Sequence, residues 1–90
     1  MRVALICMDK PDGMQVRLDN RSAHLAYIEA TGVVEMAGPF LDGDGKMCGS
    51  LVILGVDGLA DAESWAAADP YAKAGLFGAV TIREWKKVIG

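Results

Sequence analysis

Hydrophobic and polar positions along this chain switch between two periods, and the switches mark its elements. Val3 to Met8 is a continuous apolar run with β-branched members, closed by Asp9-Lys10-Pro11-Asp12-Gly13. That punctuation is turn chemistry, so the run predicts a first strand. Met14 to Leu18 fits one irregular helical turn, which Asp19-Asn20 interrupts. A firmer helix is predicted from Arg21 to Thr31, capped by Ser22 or Asn20, with Gly32 where a left-handed residue ends a helix. At helical spacing Arg17, Arg21, His24 and Ile28 trace one stripe, and Arg21 and His24 lie a turn apart on nearly the same face.

Val33 to Leu41 reads as a second strand, with Gly38-Pro39 suggesting a bulge or an edge position. The loop Asp42-Gly43-Asp44-Gly45-Lys46 joins it in a hairpin to a third strand, Met47 to Val56. After Asp57-Gly58, Asp61 is expected to cap a helix from Ala62 to Ala68, which Pro70 stops by pushing Asp69 out of helical geometry. Tyr71 to Gly75 is a turn or single helical turn, and Leu76 to Val88 a fourth strand. The order β-α-β-β-α-β is the split βαβ pattern of an α+β, ferredoxin-like fold, with a four-stranded antiparallel sheet and helices on one face. Residues 1–90 make a single domain.

Strand faces add a partner to this picture. Val3, Leu5 and Cys7 point one way and Ala4, Ile6 and Met8 the other, while Leu51 and Ile53 oppose Val52 and Leu54. Both faces are apolar, yet two short helices cover only one. Burying an aliphatic side chain is worth roughly 1.5–3 kcal/mol, so the second face is expected to meet the same face of another copy in a homodimer.

Composition narrows the function classes. Apolar residues make up 52% of the chain, which excludes disorder. Nine basic against twelve acidic residues give a net charge of −3, and Lys86-Lys87 is the only adjacent basic pair, so no nucleic-acid partner is expected. No apolar run approaches the roughly 18 residues of a membrane span. The first apolar run is too short for a signal-peptide core and no small-residue cleavage site follows it. Cys7 and Cys48 are therefore expected as two reduced thiols in a cytoplasmic protein.

His24 is the only histidine, so acid–base work near neutral pH falls most naturally on it; a helix histidine bonded to a carbonyl or water is the plainer alternative. In Asp69-Pro70-Tyr71 the proline fixes the backbone after a carboxylate, at a helix end beside a tyrosine hydroxyl. That is either a helix stop or the orienting partner of an imidazole. Gly38-Pro39-Phe40 and Gly49-Ser50-Leu51 are strand positions where small residues let a ligand approach. Ser50 lacks the G-x-S-x-G setting of a serine nucleophile. The Asp42–Lys46 loop begins like a calcium loop, but lysine holds the third ligand position and Ile53 the twelfth, so it is a turn. No Cys/His spacing suits zinc and nothing resembles a phosphate loop, so no metal or other cofactor is expected. Trp65 and Trp85 are expected as core anchors.

Taken in order, Asp9-Lys10, Arg21-Ser22-Ala23-His24-Leu25, Ala37-Gly38-Pro39, Gly49-Ser50, Ala66-Ala67-Ala68-Asp69-Pro70-Tyr71, Ala74-Gly75-Leu76 and Trp85-Lys86-Lys87-Val88 resemble the YCII-related (YciI-like) proteins of the dimeric α+β barrel superfamily. The resemblance covers nearly the whole chain. Ser22 departs from it, since relatives often carry proline there, which bears on helix entry more than on chemistry. What the resemblance implies is a ferredoxin-like protomer, a face-to-face dimer and a pocket with a histidine–aspartate pair. By position His24 matches the family histidine and Asp69 the aspartate of D-P-[YF], with Ser50 lining the pocket and Asp9 a further candidate. Activity in the family is sparse, with at least one dehydrochlorinase acting on a chlorinated hydroxyquinol.

The expectation is a cofactor-independent, lyase-type enzyme for a small-molecule substrate. His24 moves the proton, Asp69 sets its tautomer, and Ser50 and Tyr71 hold a substrate oxygen beside Gly38 and Pro39. Arg21 either holds a substrate anion or is a solvated surface arginine. The alternative is a non-catalytic, small-molecule-binding or accessory dimeric module using the same pocket.

Overall fold

A computed structural model of residues 1–90 carries seven elements: β1 (Arg2–Asp9), α1 (Met14–Thr31), β2 (Val34–Leu41), β3 (Met47–Gly55), α2 (Leu59–Ala68), α3 (Pro70–Lys73) and β4 (Phe77–Trp85). The strands form one antiparallel sheet in the order β2-β3-β1-β4, which is the ferredoxin-like α+β arrangement. Val3, Leu5 and Cys7 of β1 and Val52 and Leu54 of β3 are buried beneath the helices with Ala62 and Trp65 of α2. Trp65 Nε1–H donates to Thr31 Oγ1 at 2.9 Å, tying the end of α1 to α2.

Several boundaries differ from the sequence expectation, each for a local reason. The first helix is continuous from Met14, seven residues earlier than Arg21. Asp19 and Asn20 do not break it, because their side chains bond inside the helix: Gln15 Nε2–H donates to Asp19 Oδ1 at 2.7 Å, and Asn20 Nδ2–H to the Val16 carbonyl at 2.9 Å. Neither Ser22 nor Asn20 is a cap; Gly13 stands there. Gly32 does end α1 in the left-handed region, with φ 65°. In α2 the helix starts at Leu59, and Asp61 sits inside it, its carboxylate accepting from the Gly58 N–H at 3.2 Å.

The last strand stops at Trp85 because Trp85 pairs with Arg2, the first residue of β1; beyond it no neighbouring strand remains. Trp85 is therefore 39% exposed rather than a core anchor. Pro39 lies on β2, an edge strand, where a missing N–H costs nothing. The register shifts of β2 fall instead between Val34 and Met36 and between Phe40 and Leu41.

The sheet face away from the helices is apolar and open at its periphery. Ala4 and Ile53 are buried by their neighbours, while Ile6, Met8 and Met36 are exposed. No helix is long and apolar enough to cross a membrane. Both cysteines are free thiols.

Candidate active site

Three short stretches of sequence, far apart in the chain, converge between α1 and the β2–β3 side of the sheet. The backbone restriction imposed by Pro70 leaves Asp69 at φ −59° and ψ 128°, between α2 and α3. Its carboxylate caps α3, with Oδ1 accepting from the Tyr71 N–H at 3.0 Å. The same oxygen accepts from His24 Nδ1–H at 2.7 Å. Both residues are buried, at 6% and 3% exposure. With Nδ1 carrying the proton, Nε2 is the basic nitrogen of the neutral ring. It has no protein partner and is not sealed off, and His24 lines a cavity of about 170 Å³. The Tyr71 ring stacks on the imidazole, with centroids 3.9 Å apart and planes 12° from parallel, so His24 is held both along its edge and across its face.

A second buried group stands one helical stretch away. Arg17 Nε–H and Nη2–H donate to the two oxygens of Asp9 at 2.8 Å each, a bidentate pair. Nη2–H also donates to Ser50 Oγ at 3.0 Å. The Arg17 guanidinium lies 4.9 Å from the centre of the Tyr71 ring, within cation–π range. Burial by itself would lower the pKa of Arg17, but the Asp9 hydrogen bonds and charge outweigh it and hold the guanidinium above its ordinary range. Burial raises the Tyr71 phenol despite the cations of Arg17 and Arg21 nearby, so its hydroxyl stays neutral. Cys7, opposite Ser50 in the register, is pushed up to about 12, chiefly by burial and then by the Asp69 charge. It is a packed thiol, not a nucleophile.

Of the residues singled out from sequence, His24, Ser50, Arg21, Tyr71, Gly38 and Pro39 line this cavity, and Asp69 stands directly behind His24. Asp9 does not reach the cavity wall; it stands behind Arg17. Sequence reading put Arg17 on the stripe of Arg21 and His24 but did not name it as a site residue. Its spacing of four and seven residues from Arg21 and His24 set the shared face, while its partners Asp9 and Ser50 come from two strands. Leu25, Ile28, Met47 and Val52 supply apolar wall. No group of three His, Cys, Asp or Glu side chains gathers anywhere to hold a metal ion.

The fold and this pocket define a small ferredoxin-like protein with a histidine–aspartate pair between its first helix and its sheet. The sequence matches the YCII-related domain over residues 1–86, and the chain belongs to that family. It is 35% identical over 97 aligned positions to proteins named YciI from Escherichia coli and Shigella flexneri, spanning 98% of this chain and 99% of each relative. It is also similar to 5-chloro-2-hydroxyhydroquinone dehydrochlorinase (TftG) from Burkholderia phenoliruptrix, solved in complex with 2,5-dihydroxybenzoquinone. That likeness has a TM-score of 0.88 and 36% identity, over 96% of this chain and 94% of the other.

Proposed function

We propose that this protein is a cofactor-independent acid–base enzyme of the lyase type, eliminating a leaving group from a small hydroxylated ring compound. The observation that carries this reading is the 2.7 Å hydrogen bond from His24 Nδ1–H to a buried Asp69 carboxylate, which leaves Nε2 as the basic atom on a cavity of ring-compound size. In the keto tautomer of such a ring, Nε2 takes a proton from a ring hydroxyl, the O–H pair forms the new C=O, the enol C=C pair shifts to the saturated carbon that carries the leaving group, and the leaving group departs with its own bonding pair. Asp69 holds the tautomer and stabilises the imidazolium so formed. The imidazolium then returns its proton to water. The likeness to a dehydrochlorinase of a chlorinated hydroxyhydroquinone supports halide as the leaving group.

The same reading places a second copy of the chain over the open sheet face, since Ile6, Met8 and Met36 are exposed there together and large apolar patches on monomers are rare.

Chloride release from a panel of chlorinated hydroxyhydroquinones, followed by ion chromatography, tests the catalytic reading. His24→Gln is expected to lose about 10²–10⁴-fold in rate while still binding the ring. Unchanged chloride release in that variant refutes the assignment. Ring binding by the wild-type protein with no turnover on any member points to a binding module instead.

A further inference from the structure

The polar lining of the cavity is one-sided. Arg17, Arg21, Ser50 and Tyr71 face it, each with an N–H or O–H to offer, and His24 presents its basic Nε2. The two carboxylates of the site are absent from the wall. Asp69 is turned to His24 and the Tyr71 N–H, and Asp9 to Arg17. A ligand therefore meets these donors and one imidazole nitrogen in front, with both carboxylates behind.

Among those donors, the Ser50 hydroxyl and the Arg21 guanidinium have no acceptor in the protein. Ser50 is 4% exposed, and its oxygen accepts from Arg17 Nη2–H at 3.0 Å. With that lone pair taken by a cation, the hydroxyl proton is directed away from Arg17, and no protein acceptor receives it. Arg21 is exposed at the rim and takes part in none of the three ion pairs of the molecule. Arg17 gives three of its five N–H groups to Asp9 and Ser50, and that fixed geometry makes it the residue that positions Ser50.

We infer that the cavity takes a ring-sized ligand bearing an ionised oxygen, a phenolate, enolate or carboxylate, with the Arg21 guanidinium and the Ser50 hydroxyl as its anchors and the Asp9–Arg17 pair as the group that turns Ser50 into a donor. The inference rests on the proposed use of this cavity and deepens it by naming the charge of the substrate. An anionic oxygen held in the site also suits the elimination, because Arg21 and Ser50 then hold an oxygen that shares the negative charge of the deprotonated ring.

Benzoate and benzamide are nearly equal in shape and differ in charge, so their binding by isothermal titration reads the preference directly. The wild-type protein is expected to bind benzoate about tenfold tighter than benzamide, the scale of one charge-assisted hydrogen bond. Arg21→Gln is expected to abolish that preference and Arg21→Lys to restore part of it. Ser50→Ala is expected to weaken benzoate more than benzamide. Equal binding of the two by the wild type, a benzoate preference that survives Arg21→Gln, or no benzoate saturation by about 10 mM overturns the inference. His24→Gln separates this inference from the catalytic reading: it is expected to keep the benzoate preference even as turnover falls. Loss of the preference in that variant reassigns the anion to the imidazolium and overturns the role of Arg21. Unchanged turnover with the preference intact refutes the acid–base reading alone.

Discussion

Asp9→Asn removes the charge that faces a buried guanidinium while keeping nearly the same shape. Arg17 and Asp9 side chains are 3% and 6% exposed, and two hydrogen bonds of 2.8 Å join them. In the variant one oxygen still accepts, but the new amide presents N–H groups to N–H groups. The cost of stranding one member of a buried ion pair is about 3–5 kcal/mol. Arg17 borders a cavity that admits water, so a value at or just below the bottom of that range, about 2–3 kcal/mol, is expected. For a domain of this length, with a total stability of roughly 5–13 kcal/mol, that is a large fraction, and it lowers the melting temperature by about 10–20 °C. Urea denaturation at one fixed protein concentration measures it, since association of copies would otherwise add to the apparent stability. The companion variant Asp9→Leu/Arg17→Met is expected to recover most of the loss, because neither desolvated charge remains. A stability change under about 0.5 kcal/mol in Asp9→Asn, the size of an ordinary surface substitution, refutes the view that this pair is a closed electrostatic unit. Strict additivity in the double-mutant cycle refutes it equally.

Cys7 has an ordinary thiol pKa of 9.0 in the unfolded chain and about 12 in the fold, so its contribution is fully present below pH 9.0 and is lost as pH rises toward 12. Stability in urea is expected to fall by on the order of 1 kcal/mol near about pH 10, and a slope unchanged in Cys7→Ala refutes the assignment. Ile6→Asp places a charge on the open sheet face and is expected to turn the proposed dimer into monomers in sedimentation velocity; a monomeric wild-type protein removes the argument for a pairing face. A Cβ at Gly49 would lie 2.5 Å from the Cys7 carbonyl oxygen and 3.2 Å from the Phe40 ring. Gly49→Ala is therefore expected to cost about 1–3 kcal/mol, with near wild-type urea midpoints as the contrary result.

The order of strands and helices, the left-handed stop at Gly32, and the exclusion of Asp69 from helical geometry by Pro70 were all legible in the residues themselves. Each follows from covalent geometry acting over a few neighbours. The motif series from Asp9-Lys10 to Trp85-Lys86 likewise placed the chain in its family and nominated His24 and Asp69. What local reasoning misjudged was the polar stretch at Asp19 and Asn20, because a hydrogen bond back into the same helix and a turn away from it use the same side chains. The role of Arg17 was not legible either, because its partners Asp9 and Ser50 lie on two different strands. The end of β4 depended on where β1 begins, and the exposure of Trp85 followed from that. His24 and Asp69 are 45 residues apart in sequence, so their contact is set by how α1 and the α2–α3 junction pack on one sheet. Residue type and spacing can supply a base and a carboxylate, but only packing sets the distance between them, and hydrogen bonding is steep enough in distance that this decides the chemistry.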